Sequence, residues 1–103
     1  MATPTVTIPL AMWQWQRLER LSGHERVICR WVACGLSNRE VAAQMGSCER
    51  TVRTQVQVIF EKTGARSRTQ LAMLALFSGI VDPDMVLATW KLLRPDWLAE
   101  EVR

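Results

Sequence analysis

Residues 37–64, SNREVAAQMGSCERTVRTQVQVIFEKTG, constrain this chain more than any other stretch. They read as two helices joined by a tight turn at Met45-Gly46-Ser47. Ser37, followed three residues later by Glu40, is a capping-box pattern. In that pattern hydroxyl and carboxylate each satisfy a backbone N–H that the helix start leaves unpaired, so the first helix should begin there. Its apolar residues Val41, Ala42 and Met45 fall on one side. The second helix should run from about Glu49 to Lys62. At helical spacing Val52, Val56, Ile59, Phe60 and Thr63 make one narrow stripe. Arg50, Arg53, Thr54, Gln57 and Glu61 make the opposite one. Such a helix buries its valines and turns outward guanidinium, hydroxyl and amide groups, the types that reach base edges and phosphates.

The flanking residues extend the pattern. Leu21-Ser22 with Glu25 comes first, then Gly35-Leu36-Ser37-Asn38-Arg39-Glu40-Val41-Ala42. Glu49-Arg50-Thr51-Val52-Arg53 follows, then Lys62 with Gly64, and Ser67-Arg68. In this order and without gaps, the set resembles the DNA-binding domain of LuxR/GerE-type transcription regulators over roughly half the chain. The departures are local. Ser47-Cys48 stands where the family usually has an aliphatic-Ser pair, Gln55 where it has a His, and Thr63 where it has a Leu. Cysteine is a poor N-cap, so the second helix can start one residue earlier, from Ser47.

The resemblance implies an all-α fold: a four-helix LuxR/GerE-type helix-turn-helix domain, here with extra N- and C-terminal helices. The expected division is an N-terminal arm over 1–20, the helix-turn-helix domain over 21–81 and a C-terminal helical extension over 82–103. One domain is the natural reading for 103 residues. The net charge of +3 is modest, but its placement is uneven. Between residues 37 and 70, Arg39, Arg50, Arg53, Lys62, Arg66 and Arg68 outnumber Glu40, Glu49 and Glu61. From residue 82 onward acids outnumber bases. The basic excess therefore sits where a DNA contact is expected, although an Arg-rich solvated surface would carry the same charge.

Three cysteines, Cys29, Cys34 and Cys48, form no CxxC pair and read as ordinary reduced residues. His24 is the sole histidine and has no acid, cysteine or serine partner at a recognisable spacing. No enzyme activity, cofactor or metal is expected. The first twenty residues lack a secretory pattern and no apolar run approaches a membrane span, which points to the cytoplasm and no membrane partner.

Along the chain, residues 1–8 should be extended, and residues 10–21 can form a helix carrying Trp13 and Trp15. Ser22 with Glu25 opens the next helix, with Val27, Ile28, Trp31 and Val32 inward and Gly35 as its left-handed stop. Ser67 with Gln70 reads as a third capping box, opening a helix to about Ile80. That helix is apolar nearly all round and should be covered all round, by the terminal arms, a second subunit or both. In the resembled family it commonly forms the dimer contact. Asp82-Pro83 caps a further helix to about Leu93, Arg94-Pro95 breaks it, and residues 96–102 can form a short last helix with Trp97.

Carried onto matching positions, the family's roles place Arg53, Thr54 and Gln57 at base edges and Arg50 and Thr51 at phosphates. Arg39, Lys62, Arg66 and Arg68 would hold flanking phosphates. The expected activity is that of a sequence-specific transcription regulator on double-stranded DNA, acting through a major-groove helix as a homodimer. The alternative is an interaction protein that keeps this fold and modulates another transcription regulator. The residues before Leu21 are too few for the phosphoacceptor or ligand domain the family usually carries, so no switch is expected.

Overall fold

The computed structural model describes residues 18–102. The expected extended start, Trp13, Trp15 and most of the expected helix over 10–21 lie outside the described residues. Five α-helices follow one another: α1 (Gly23–Ala33), α2 (Asn38–Met45), α3 (Glu49–Thr63), α4 (Arg68–Ser78) and α5 (Pro83–Leu93). A 3-10 helix, Pro95–Val102, ends the described chain, and no strand occurs among the described residues. The all-α expectation is borne out.

Local chemistry sets most of the boundaries. Ser22 and Ser37 each accept from the N–H three residues on, at 3.1 Å, while Glu25 and Glu40 accept from the serine N–H at 2.8 and 2.9 Å. Both capping boxes are therefore complete. Gly46 ends α2 at φ +64°, a conformation that disfavours any residue with a Cβ. The tight turn into α3 depends on it. Asp82 caps α5 through the Met85 N–H, with Pro83 in the first turn, where its missing N–H does no harm.

The core lies where α1, α3 and α4 converge. Ile28, Cys29 and Val32 enter from α1, Val41 and Ala42 from α2, and Val52, Val56 and Ile59 from α3. Leu71, Leu74 and Ala75 come from α4, with Ile80 and Val81 after it. At about 25 cal/mol per Å2 of apolar area, this shared burial is the main term holding the helices together. Thr63 is fully buried among them, where the resembled family has Leu. Its hydroxyl donates to the Ile59 carbonyl at 2.8 Å and accepts from the Ala65 N–H at 3.2 Å. Both roles of the hydroxyl are filled, so a polar group is tolerated there.

Several boundaries differ from the sequence reading. The chain turns at Glu19 and Arg20, so the expected N-terminal helix does not run through Leu21. The start of α3 does not shift to Ser47. Cys48 is the N-cap, in extended conformation, and its carbonyl accepts from Val52 at 3.1 Å although its thiol caps nothing. Ser67 caps α4, but Gln70 does not reach back to the Ser67 N–H; its amide oxygen takes the Arg66 N–H instead, so the third box is one-sided. Gly79, at φ +84°, stops α4 before Ile80.

Nor is α4 covered all round by the described residues. Leu71, Leu74 and Ala75 are buried, whereas Met73, Leu76 and Phe77 stand exposed, Phe77 at 64%. The C-terminal extension packs elsewhere in the same chain. Trp90 on α5 donates its indole N–H to the Cys34 carbonyl at 2.7 Å and meets Trp97 edge-on, with centroids 5.6 Å apart. Val86 and Leu93 rest against the core. The expected last helix is a 3-10 helix that begins at Pro95.

Candidate nucleic-acid interface

The outward stripe of α3 is built by the inward one. Val52, Val56, Ile59 and Thr63 are buried, which fixes the rotation of the helix and leaves Arg50, Thr51, Arg53, Thr54 and Gln57 exposed along one side. Arg39 on α2 and Arg66 in the turn after α3 are exposed as well. Among the described residues, no carboxylate pairs with Arg39, Arg50 or Arg66. Arg53 leans on Glu49 one turn back at 3.2 Å. Both side chains are about half exposed or more, and surface pairs of this kind hold weakly, so the guanidinium can leave for a stronger anion.

Thr54 donates its hydroxyl to the Arg50 carbonyl at 3.2 Å. At the helix start, Cys48 Sγ and Thr51 Oγ1 lie 3.2 Å apart. That contact, with help from nearby backbone N–H groups, lowers the thiol pKa below its ordinary value. Gln55, standing for the family's usual His, meets the His24 ring at 3.1 Å and ties the flank of α3 to the first turn of α1.

Two of the expected phosphate-binding residues are engaged internally. Lys62 donates to both Glu25 carboxylate oxygens, at 2.9 and 3.0 Å. The Glu25 carboxyl is held below its usual pKa, first by the Ser22 N–H and then by Lys62. Arg68 donates to the Leu36 carbonyl and the Asn38 side chain, each at 2.7 Å. Burial lowers its pKa, but a guanidinium so far above neutrality stays charged. These partners lie 37, 32 and 30 residues away along the chain, beyond any spacing pattern.

Cys29 and Cys34 lie in the core and not on this face. Cys29 is buried and its thiol pushed up to about 12 by desolvation and by Glu25; Cys34 is raised for the same first reason. Neither is a ready nucleophile. No group of His, Cys, Asp and Glu among the described residues could hold a metal ion. No helix of the described residues is long and apolar enough to cross a membrane.

Residues 19–75 match the family described as bacterial regulatory proteins, luxR family, over more than half of the chain. The chain belongs to the luxR family. Members of this family are DNA-binding transcription regulators and not enzymes, and DNA is the partner it implies. Among its relatives is the transcriptional regulatory protein YdfI of Bacillus subtilis, 34% identical over 65 residues, 63% of this chain and 30% of that protein. The response regulator Rre1 of Synechocystis is 40% identical over 58 residues, covering 56% of this chain and 25% of its own. The probable HTH-type transcriptional regulator GfsR of Streptomyces halstedii is 48% identical over 50 residues, covering 48% and 21%. The chain thus spans under a third of the length of these relatives. No solved structure is a significant match. Within this luxR-family chain, α2 and α3 are the helix-turn-helix pair, and the extension from Asp82 lies beyond the matched residues.

Proposed function

We propose that this chain reads duplex DNA sequence-specifically, with α3 lying in the major groove. The observation that carries the reading is the free outward stripe of α3: Arg53, Thr54 and Gln57 are exposed, and the C-terminal tryptophans pack against the far end of α1 instead. Arg53 suits a bidentate contact to guanine, Gln57 one to adenine, and the Thr54 methyl a contact to thymine. Arg50 and Thr51 occupy the first turn of a fifteen-residue helix, where the helix dipole and free N–H groups favour a phosphate. Arg39 and Arg66 hold phosphates on either side and set the docking register without reading bases. Lys62 and Arg68 would have to give up Glu25 and the 36–38 segment to do the same, so their part is to position the residues around them.

One such unit covers few base pairs, and a dimer on two half-sites supplies the rest. The exposed Met73, Leu76 and Phe77 on α4 support a homodimer contact there. The same apolar face would serve the second reading, in which another regulator docks on it.

Selection of duplexes from a random-sequence pool, followed by binding at two salt concentrations, tests the proposal. A selected consensus bound with steep salt dependence is expected. No binding even at low salt would overturn it. Light scattering on the free and bound protein tests the dimer; one protomer per selected site at high protein concentration would reject it.

A further inference from the structure

Arg94 lies in the extension, beyond the matched residues, yet it makes the densest set of contacts in that segment. One arm of its guanidinium donates to Glu40 Oε2 at 2.9 Å, and the others engage Asp96 at 3.0 and 3.2 Å. Its plane lies over the Trp97 ring, 4.2 Å from the centroid. That ring in turn covers Gly35, where a Cβ would meet it at 3.3 Å, and Gly35 already sits at φ +89°. Meanwhile the other Glu40 oxygen, Oε1, accepts the Ser37 N–H of the capping box. A single carboxylate therefore both starts α2 and anchors the extension. Arg68 donates to the Leu36 carbonyl and Asn38 in the same segment. Two arginines thus hold residues 36–40.

We propose that Arg94 is a positioning residue for DNA binding: by bracing Glu40 and seating Trp97 on Gly35, it sets the pose of α2 against the extension and the end of α1. This rests on the DNA-binding reading above. The physical reason is that α2 carries Arg39 one residue before Glu40, and small shifts of a docked helix displace every phosphate contact it makes. Arginine suits both tasks, since its planar fork can pair with two carboxylates and stack on an indole together.

The test uses the full chain, a duplex selected by the wild-type protein from a random-sequence pool, and hydrogen exchange of the amides of residues 34–40. Arg94→Ala is expected to speed exchange there and to weaken DNA binding about five-fold, from loss of the pair and the stack. The salt slope of binding should stay as in the wild type. Arg94→Lys, which keeps the charge, should recover part of the affinity. Glu40→Gln retains a capping acceptor; in the double variant with Arg94→Ala it should add little further loss. Wild-type affinity in Arg94→Ala despite faster exchange would overturn the proposal. So would a fall of about one in the salt slope, which would make Arg94 itself a phosphate contact. If the wild type selects no duplex, the DNA-binding reading fails first; if it does and Arg94→Ala matches it, only the brace fails.

Discussion

Two sets of basic residues share these helices and are used in opposite ways. Arg39, Arg50, Arg53 and Arg66 point outward and hold nothing stronger than a surface pair. Lys62, Arg68 and Arg94 point back across the chain and hold Glu25, the Leu36 carbonyl with Asn38, and Glu40. The residue types are the same, and so is the neighbourhood in sequence. What separates them is whether a helix phase set by buried valines and leucines leaves the side chain over water or over an acceptor. Charge excess alone therefore overstates the size of a DNA-binding face, because part of it is structural.

The largest break comes from disturbing the burial that creates the division. Val56 is 4% exposed in the inward stripe of α3. Val56→Asp should destabilise the fold by about 3–5 kcal/mol, the order for an unpaired buried charge, and abolish cooperative melting at 37 °C or below. A variant that melts like the wild type would show that the assigned inner face is wrong. Next comes the inner basic set. Arg68→Ala leaves the carbonyl of buried Leu36 and the half-buried Asn38 without their donor and should lower stability by about 1–3 kcal/mol in denaturant titrations. If stability held and DNA affinity fell instead, Arg68 would belong with the outer set.

The mirror experiment is Arg53→Ala. It should leave melting within about 0.5 kcal/mol of wild type, as for an exposed pair. Its effect should appear in binding, as a loss of about 1–3 kcal/mol and a relaxed preference at one base position. Equal binding to all site variants before and after the change would remove Arg53 from the readers.

The smallest effect is expected from pH. The carboxyls of Glu25 and Glu40 are both held below their ordinary 4.5, first by the capping serines and then by Lys62 and Arg94. Depressed carboxylates bind fewer protons folded than unfolded. Their stabilisation is present above about pH 4.5 and is lost as pH falls through the folded values. The melting temperature should therefore drop on acidification below that point, and less so in Glu25→Gln or Glu40→Gln. A drop as large in both variants as in the wild type would place the acid sensitivity elsewhere.

Much of this molecule was readable in its residues. The capping boxes at Ser22 and Ser37, the stop at Gly46, the Asp82-Pro83 start and the inner stripe of α3 are all set by neighbours within four positions, and they appear in the structure as read. The family followed from the same short-range motifs. One short-range reading went otherwise. Gln70 was expected to reciprocate Ser67 and instead took Arg66, one residue over. The apolar helix α4 is covered on one face by the described residues, and its other face is the one left to the N-terminal arm or a second subunit.

Local spacing and hydrophobic period thus determined the helices, their order and the outward row on α3, because hydrogen bonds and apolar stripes within a helix repeat over three or four residues. The fate of each basic side chain, and the seat of Trp90 and Trp97 on the loop at Cys34 and Gly35, waited on folding. Those contacts join residues 30 to 62 positions apart, and no periodicity in a chain encodes which distant acceptor a long cation will find.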